Sequence, residues 1–532
     1  MYAVMSGNIC CLTDSYKLVH WKQYPANTEV IFSYFESRTG AVFDATTFFG
    51  LQHILRQHLV GARVTEDKIH QARFLSAIHL NQATIEKITP YIIGDEISIY
   101  IDQPVLDESM AVAFMRRTIN PKLRIDWVSY YKDTAQVEHF NYAGWMHILN
   151  AHGGRLPLKI RAVPEGTSVP VNNVLMTVEN TDEKVPWLTT YVETILSHIW
   201  YPSTVATLSA GIKALIERYL LITASSTNAL PFMLHDFGYR GASSYESASI
   251  GGAAHLIHFL GSDTIAAMEL LMQDYGANLD SLAYSVPATE HSVMTAYGRE
   301  GEGLIVEELL KQNPTGIISI VGDSYHIENF VENILGGRLR ERIINRDGIV
   351  VVRPDSVRDD ADTPETQMVW LARMLEEKFG ATINAKGFKV IHPKIRLLWG
   401  DGIDIGSIEK ILQAFMEAGF SAENIATFGM GGGLLQKINR DTQRFAFKCS
   451  WMKRSGIGYD MFKNPQNSFK SSKKGRLKLL RYEGDDGLYE YKTVPEYIPG
   501  IDTLETVFEN GGMVNEISLS EIRKNSIPRG IL

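Results

Sequence analysis

Cysteine is scarce in this chain: three in 532 residues, with Cys10 and Cys11 adjacent and Cys449 far away. That set builds no disulfide framework and contains no Cys-x-x-Cys motif. Three reduced thiols fit the cytosol. No run of about 18 apolar residues occurs, so no membrane-spanning helix is expected. The N-terminal MYAVMSGNICCLTDSYK lacks a basic start, and Asp14 and Lys17 interrupt its apolar stretch, so it does not read as a signal peptide. A cytoplasmic location is the expectation. Repeats and low-complexity tracts are also missing. Positive charge is not in excess: Lys+Arg 52 against Asp+Glu 61 gives a net charge of −9. With 45% hydrophobic and 21% charged residues, the composition excludes a disordered chain, a collagen-like chain and a wholly basic nucleic-acid coat. No His-x-x-x-His or comparable metal-ligand pattern stands out, so zinc is not expected.

What is there is an α/β pattern. The N-terminal part, 1–185, reads as mixed α+β. TEVIFSYFES (28–37) has strand composition, and FFGLQHILRQHLVG (48–61) has helical spacing ending at Gly61. The stretch 80–135 has no clear period and reads as an accessory region. Residues 156–180 read as a small β layer broken by Pro, Gly and Asn turns. WLTTYVETILSHIW (187–200) and 205–225 read as amphipathic helices. Seven apolar runs then follow, each ending in a polar or glycine-rich turn: 232–241, 255–276, 283–298, 316–335, 348–356, 395–404 and 424–438. Repeated strand–turn–helix order predicts a parallel sheet with a site at the C-terminal strand ends, as in (β/α) barrels. This core is expected over 186–460. A C-terminal region, 461–532, is expected to pack back on the N-terminal part.

Several features could carry chemistry. FGMGGGLLQK (428–437) lies between a predicted strand and helix. It suits a close backbone approach to phosphate, or merely a tight turn. It is neither a dinucleotide fingerprint nor a P-loop. Residues 440–481 hold twelve Lys/Arg and two acids, a local balance of +10 against −19 for the remainder. A solvated face, a nucleic-acid surface and a polyphosphate grip all fit that stretch. Asp236, Asp263, Asp323, Asp355 and Asp401 recur after apolar runs. They suit caps, or sugar hydroxyls, an amide N–H and Mg2+ held through water. DDADT (359–363) reads as a solvated loop. In TEHS (289–292), His291 beside Glu290 is a plain histidine or a phosphate acceptor.

LTDSYKLVHWKQYP, HDFGYRG, SVPATEHS, VVRPDS, GDGID, FGMGGGLLQK and SKKGRL stand in this order. Together they resemble the nicotinamide phosphoribosyltransferase family of type II phosphoribosyltransferases. The likeness runs from TDSYK (13–17) to SEIRKN (520–525). It implies the type II fold, an irregular (β/α) barrel-like core with an additional β-rich layer. It implies condensation of nicotinamide with phosphoribosyl pyrophosphate, with Mg2+ held mainly by pyrophosphate and water. It further implies ATP as a stimulating co-substrate through a phosphohistidine at His291, and a homodimer with shared sites.

The resemblance also assigns roles. Phe237 and the partner subunit's Tyr16 sandwich the pyridine ring, and Asp263 accepts from the carboxamide. Arg353, Gly400 and Asp401 contact the nucleotide, with Asp355 near the ribose and Asp323 ordering the ribose and metal region. Gly431, Gly432, Arg440 and Lys448 hold the 5′-phosphate. Arg38, Arg240, His291, Arg353, Lys463 and Lys470 surround pyrophosphate. Ser285 and Ser319 line a tunnel for nicotinamide. Departures from the family are a short polar stretch after FSYFESR (32–38), a long 80–135 stretch, Ala446 where Ser is frequent, and Thr289 where Ala is frequent, which would narrow the tunnel. Two other readings stand beside this one: a nicotinate phosphoribosyltransferase, and a nucleic-acid-binding protein using 440–481.

Overall fold

The computed structural model describes residues 7–93, 124–279, 282–358, 363–464, 472–484 and 489–526. Lys470, most of DDADT and the middle of the 80–135 stretch lie outside the described residues. Two sheets organise the rest. The first is antiparallel and has seven strands, in the order Ile457–Asp460, Ala446–Arg454, Thr28–Glu36, Val174–Asn180, Leu158–Ala162, Glu505–Glu509, Gly512–Met513. Thr28–Glu36 is central because its β-branched and aromatic residues suit burial on both faces: Ile31 through Glu36 are all buried. Trp145 packs edge-on beneath this layer against Trp187 and Tyr191, at 5.0 and 5.2 Å between ring centroids.

The second sheet is parallel. Its order is Thr315–Val321, Asp347–Arg353, Ile395–Trp399, Ile425–Met430, Leu234–Asp236, Gly261–Ser262. The strands read as continuous apolar runs because helices cover them. Those helices are capped by Ser244, Thr363 and Asp404, each of which accepts from a first-turn N–H.

Six of the seven expected units supply strands. The seventh, 283–298, closes the barrel without forming a strand. Tyr284 bridges to Gly261 at one sheet edge, and Ala288 bridges to Ser319 at the other. Four backbone hydrogen bonds carry the closure: Ser262 N–H to Tyr284 O, Tyr284 N–H to Leu260 O, Thr289 N–H to Ser319 O and Ser319 N–H to Pro287 O. Pro287 has no N–H to donate, which keeps the segment from becoming a regular strand. The type II barrel-like core with its β layer is therefore present.

The expected boundary at 460 is misplaced. Ala446–Arg454 and Ile457–Asp460 belong to the antiparallel sheet, so the parallel core ends soon after Ile425–Met430. The 187–200 segment also differs from one helix. It breaks into Leu188–Tyr191 and Glu193–Ser197, and a long helix then starts at Trp200 and runs to Thr223. Pro202 lies in its first turn, where proline is tolerated. This helix ties the layers together. Thr207 Oγ1 accepts from Thr47 N–H at 2.9 Å, and Tyr201 donates to Leu435 O at 3.1 Å.

The described parts of 80–135 form a small separate cluster around Ile88, Ile125, Trp127 and Tyr130. Among the described residues, no helix is long and apolar enough to cross a membrane.

Thr289 is largely buried, and its hydroxyl accepts from Val321 N–H at 2.9 Å. The side chain thus completes the barrel edge. Thr289→Ala leaves a buried N–H without an acceptor. It should lower the unfolding free energy by about 1–3 kcal/mol, read from chemical denaturation.

Candidate active site

Parallel strands all end on the same rim. That rim carries Asp236, Asp263, Gly322-Asp323, Arg353, Gly400-Asp401 and Gly431-Gly432, each at or just past a strand end. Phe237 follows Leu234–Asp236, and its N–H donates to Met430 O at 3.0 Å. The ring lies over Gly429 and Gly400. A Cβ on Gly429 would fall 2.0 Å from the ring, and one on Gly400 would fall 3.3 Å from it. Arg353 places its guanidinium carbon 5.2 Å from the ring centroid, on a side chain whose Nε is buried without a partner. Asp236, fully buried, accepts from Gly238 N–H at 2.7 Å and fixes the turn after Phe237. Burial pushes its carboxyl up, against the opposing pull of its hydrogen bonds.

Asp263 is the most defined carboxylate of the rim. Its Oδ1 accepts from His235 Nε2 at 2.8 Å and from Ser285 Oγ at 2.7 Å. Burial alone would raise this carboxyl. The His235 and Ser285 hydrogen bonds, with His235 and Arg353 nearby, outweigh burial and hold it below the usual range. Asp263 is therefore ionised at neutral pH, and its Oδ2 is left for a further donor. The His235 ring sits 5.3 Å from the Phe237 ring, so the carboxylate and the aromatic face share one wall.

A second group lies across the rim. His291 Nε2 is 2.9 Å from Asp323 Oδ1, and its Nδ1 is 4.0 Å from Asp355 Oδ2. Asp323 is anchored because its Oδ2 accepts from Asp355 N–H at 2.9 Å and from Ser356 Oγ at 2.5 Å. Arg353 Nη2 meets Asp355 Oδ1 at 2.5 Å. The His291 side chain is 45% exposed, so a ligand can reach its ring. Behind this group, burial chiefly, with the Asp323 charge adding to it, lifts the Glu302 carboxyl to about 7. Ser319 is buried within its strand.

The cationic residues assigned to phosphate gather elsewhere. A cavity of about 750 Å3 is lined by Arg38, Glu193, Ser197, Arg440, Arg444 and Lys448, with Ala446 among them. Arg38 Nη2 is buried there without a partner. Burial first, then the charges of Arg38, Lys463 and Arg440, lowers the Lys448 ammonium despite Glu193. Desolvated like charges of this kind suit a bound polyanion. Tyr16 lies on the neighbouring surface and is 58% exposed. The adjacent Lys17 is buried and pairs with Glu193 at 2.7 Å.

The structure thus brings Phe237, Asp263, Ser285, His291, Ser319, Asp323, Arg353, Asp355, Gly400, Asp401, Gly431 and Gly432 to the rim. It groups Arg38, Arg440, Lys448 and Lys463 apart from them. Among the described residues, no hydrogen bond or ion pair of one group reaches the other. Arg240 is exposed on the turn Tyr239–Gly241, just beyond Phe237.

Sequence reasoning overlooked His235, Ser356, Gly429 as the seat of Phe237, and Ser197, which offers a hydroxyl in the cavity where Ala446 has none. His235 stood in view inside HDFGYRG, two residues before Phe237 on a strand, hence on the same face. The basic run 440–481 is not one stripe. Lys453 pairs with Glu29 and Glu183, Lys473 with Glu36, and Arg476 with Glu179 and Glu496.

The fold resembles a solved nicotinate-nucleotide pyrophosphorylase from Pyrococcus furiosus, with a TM-score of 0.56 at 13% identity, covering 99% of this chain and 96% of that one. That likeness shows the type II phosphoribosyltransferase fold, and the family models and relatives that follow show the enzyme class, a pentosyltransferase. The model of the nicotinate phosphoribosyltransferase family matches residues 232–511, and that of the nicotinamide phosphoribosyltransferase N-terminal domain matches residues 8–97. A nicotinamide phosphoribosyltransferase from Xanthomonas campestris pv. campestris is 40% identical over 527 residues, 98% of each chain. One from Acinetobacter baylyi is 32% identical over 536 residues, covering 96% of this chain and 95% of its own. The chain belongs to the nicotinate phosphoribosyltransferase family and carries the N-terminal domain of the nicotinamide phosphoribosyltransferases.

Gly429→Ala should expel the Phe237 ring from its seat. We expect a folded protein with kcat/KM for the pyridine substrate reduced about tenfold or more, as for a loss of roughly 1.4 kcal/mol of transition-state stabilisation. Steady-state kinetics with circular dichroism as a folding control checks this.

Proposed function

We propose that the chain condenses nicotinamide with 5-phosphoribosyl 1-pyrophosphate, giving nicotinamide mononucleotide and pyrophosphate in NAD salvage. The observation that carries the choice of base is Asp263, ionised, with Oδ1 occupied by His235 and Ser285 and Oδ2 open. An open carboxylate oxygen accepts a carboxamide N–H and repels the carboxylate of nicotinate.

Phe237 orients the ring so that its nitrogen meets the ribose carbon in line with the departing pyrophosphate. Positive charge develops on the sugar as that bond breaks. Asp355 and Asp323 are assigned to stabilise it, and Arg353 to contact the nucleotide between them and Phe237. Arg38, Arg240, Lys463 and Lys470 are assigned to the leaving group, and Gly431, Gly432, Arg440 and Lys448 to the 5′-phosphate. Gly400 and Asp401 flank the nucleotide. Ser285 and Ser319 border the route of the base.

Mg2+ is proposed to be held mainly by pyrophosphate and water beside the rim carboxylates, since hard cations favour carboxylate and water oxygens. When bound with pyrophosphate, Mg2+ neutralises its charge. ATP is proposed to stimulate the reaction by phosphorylating His291. Asp323 accepts from Nε2–H of that ring, leaving the Nδ1 lone pair for the phosphoryl group.

The separation of the cation cavity from the rim supports a homodimer in which each site draws on both subunits. Tyr16 and the cavity of one protomer then face the rim of its partner. Three unpaired thiols suit the cytoplasm. Nucleic acid is not a proposed partner, because neighbouring acids neutralise much of the basic run.

Product formation from each base with phosphoribosyl pyrophosphate tests the assignment. Nicotinamide should turn over faster, and Asp263→Ser should cut its kcat/KM about tenfold to a hundredfold by removing a charged hydrogen-bond acceptor. Faster turnover of nicotinate by the unaltered enzyme overturns it. For the shared site, mixed Tyr16→Ala and Asp263→Ala protomers should regain activity that neither variant has alone. Absence of recovery despite demonstrated subunit exchange argues for self-contained sites.

A further inference from the structure

Away from the rim, the helix Tyr142–His152 ends against the turn that follows the strand Val174–Asn180. Three metal-ligating side chains converge there. Asp182 Oδ2 lies 2.7 Å from His147 Nε2 and 2.7 Å from His152 Nε2. The three ligand atoms all fall within 4.8 Å of one another. Their side chains are 20–28% exposed, so the cluster is formed but open to solvent.

The carboxylate is positioned from behind. Asp182 Oδ1 accepts from Lys184 N–H at 2.8 Å, and its backbone carbonyl accepts from Asn180 Nδ2 at 2.9 Å. These bonds aim Oδ2 at the two rings. His152 also occupies the last turn of its helix, where the dipole favours positive charge. Two imidazole nitrogens and one carboxylate oxygen form a donor set for zinc-type ions, and a three-ligand set leaves a position for water.

We propose that His147, His152 and Asp182 bind one divalent transition-metal ion of the zinc type, clamping the helix end to the 181–184 turn. In the bound state each ring carries its proton on Nδ1 and presents the Nε2 lone pair to the metal. The site is separate from the Mg2+ proposed at the rim. The spacing of the histidines, five apart with the acid thirty residues on, matches no familiar helical pair, which is why the sequence does not announce it.

The full chain, stripped with a chelator, is titrated with Zn2+ in competition with a chromophoric chelator. The unaltered protein should bind one equivalent more than the His147→Gln/His152→Gln variant, since Cys11 and other histidines contribute equally to both. Its thermal midpoint should rise with Zn2+, and that of the double variant should not. Asp182→Asn retains the Lys184 contact and should bind Zn2+ at least about tenfold more weakly. Phosphoribosyltransferase activity of both variants verifies their folding, because none of the three residues touches the rim. Equal stoichiometry and affinity in the unaltered protein and the double variant overturns the proposal, as does no uptake by the unaltered protein.

Discussion

Four backbone hydrogen bonds at Tyr284, Pro287 and Thr289 join the two edges of the parallel sheet. Everything at the rim depends on that closure. Without it, Gly261–Ser262 and Thr315–Val321 are open edges, and the loops that bear Asp263 and Asp323 have no fixed separation. With it, Ser285 stands beside Asp263 on one side and His291 beside Asp323 on the other. The linking segment is therefore both a structural staple and a carrier of the site, and its irregularity at Pro287 keeps those side chains facing the rim.

The rim divides its charges by task. Asp263 is kept ionised by the hydrogen bonds from His235 and Ser285, so it is a hydrogen-bond acceptor and not a proton source. Asp236 is buried beneath the Phe237 turn, where it shapes the backbone. Asp323 is anchored by Ser356 and the Asp355 N–H, which leaves its other oxygen for His291. The cations gather in their own cavity, where Glu193 and Asp441 also face the space and Glu36 holds Arg38 Nε at 2.9 Å. A chain with a net charge of −9 thus separates an acidic rim from a basic pocket.

The sequence made the parallel core legible because buried strands read as apolar runs and polar rim residues follow each one. Phe237, Asp263 and the glycine loop were visible for that reason. The seventh unit was found, but its form was not, since periodicity cannot distinguish two single bridges from a strand. The boundary at 460 failed because AFKCSWMKR follows the core after a short run of turns, 436–445, and pairs with a strand near the other end of the chain. His235 was missed because a histidine on an apolar strand reads as core. Ser197 was missed because nothing local links it to Ala446.

That long-range pairing has a bearing on how the protein is made. Thr28–Glu36 finds one neighbour in Val174–Asn180, yet its other neighbour, Ala446–Arg454, emerges about 400 residues later. Glu505–Glu509 arrives later still to cover Leu158–Ala162. Contacts so distant along the chain slow folding and leave apolar strand edges uncovered in the meantime. The nascent N-terminal layer is a half-finished sheet throughout synthesis of the barrel. One sheet is thus assembled from strands that lie far apart along the polypeptide.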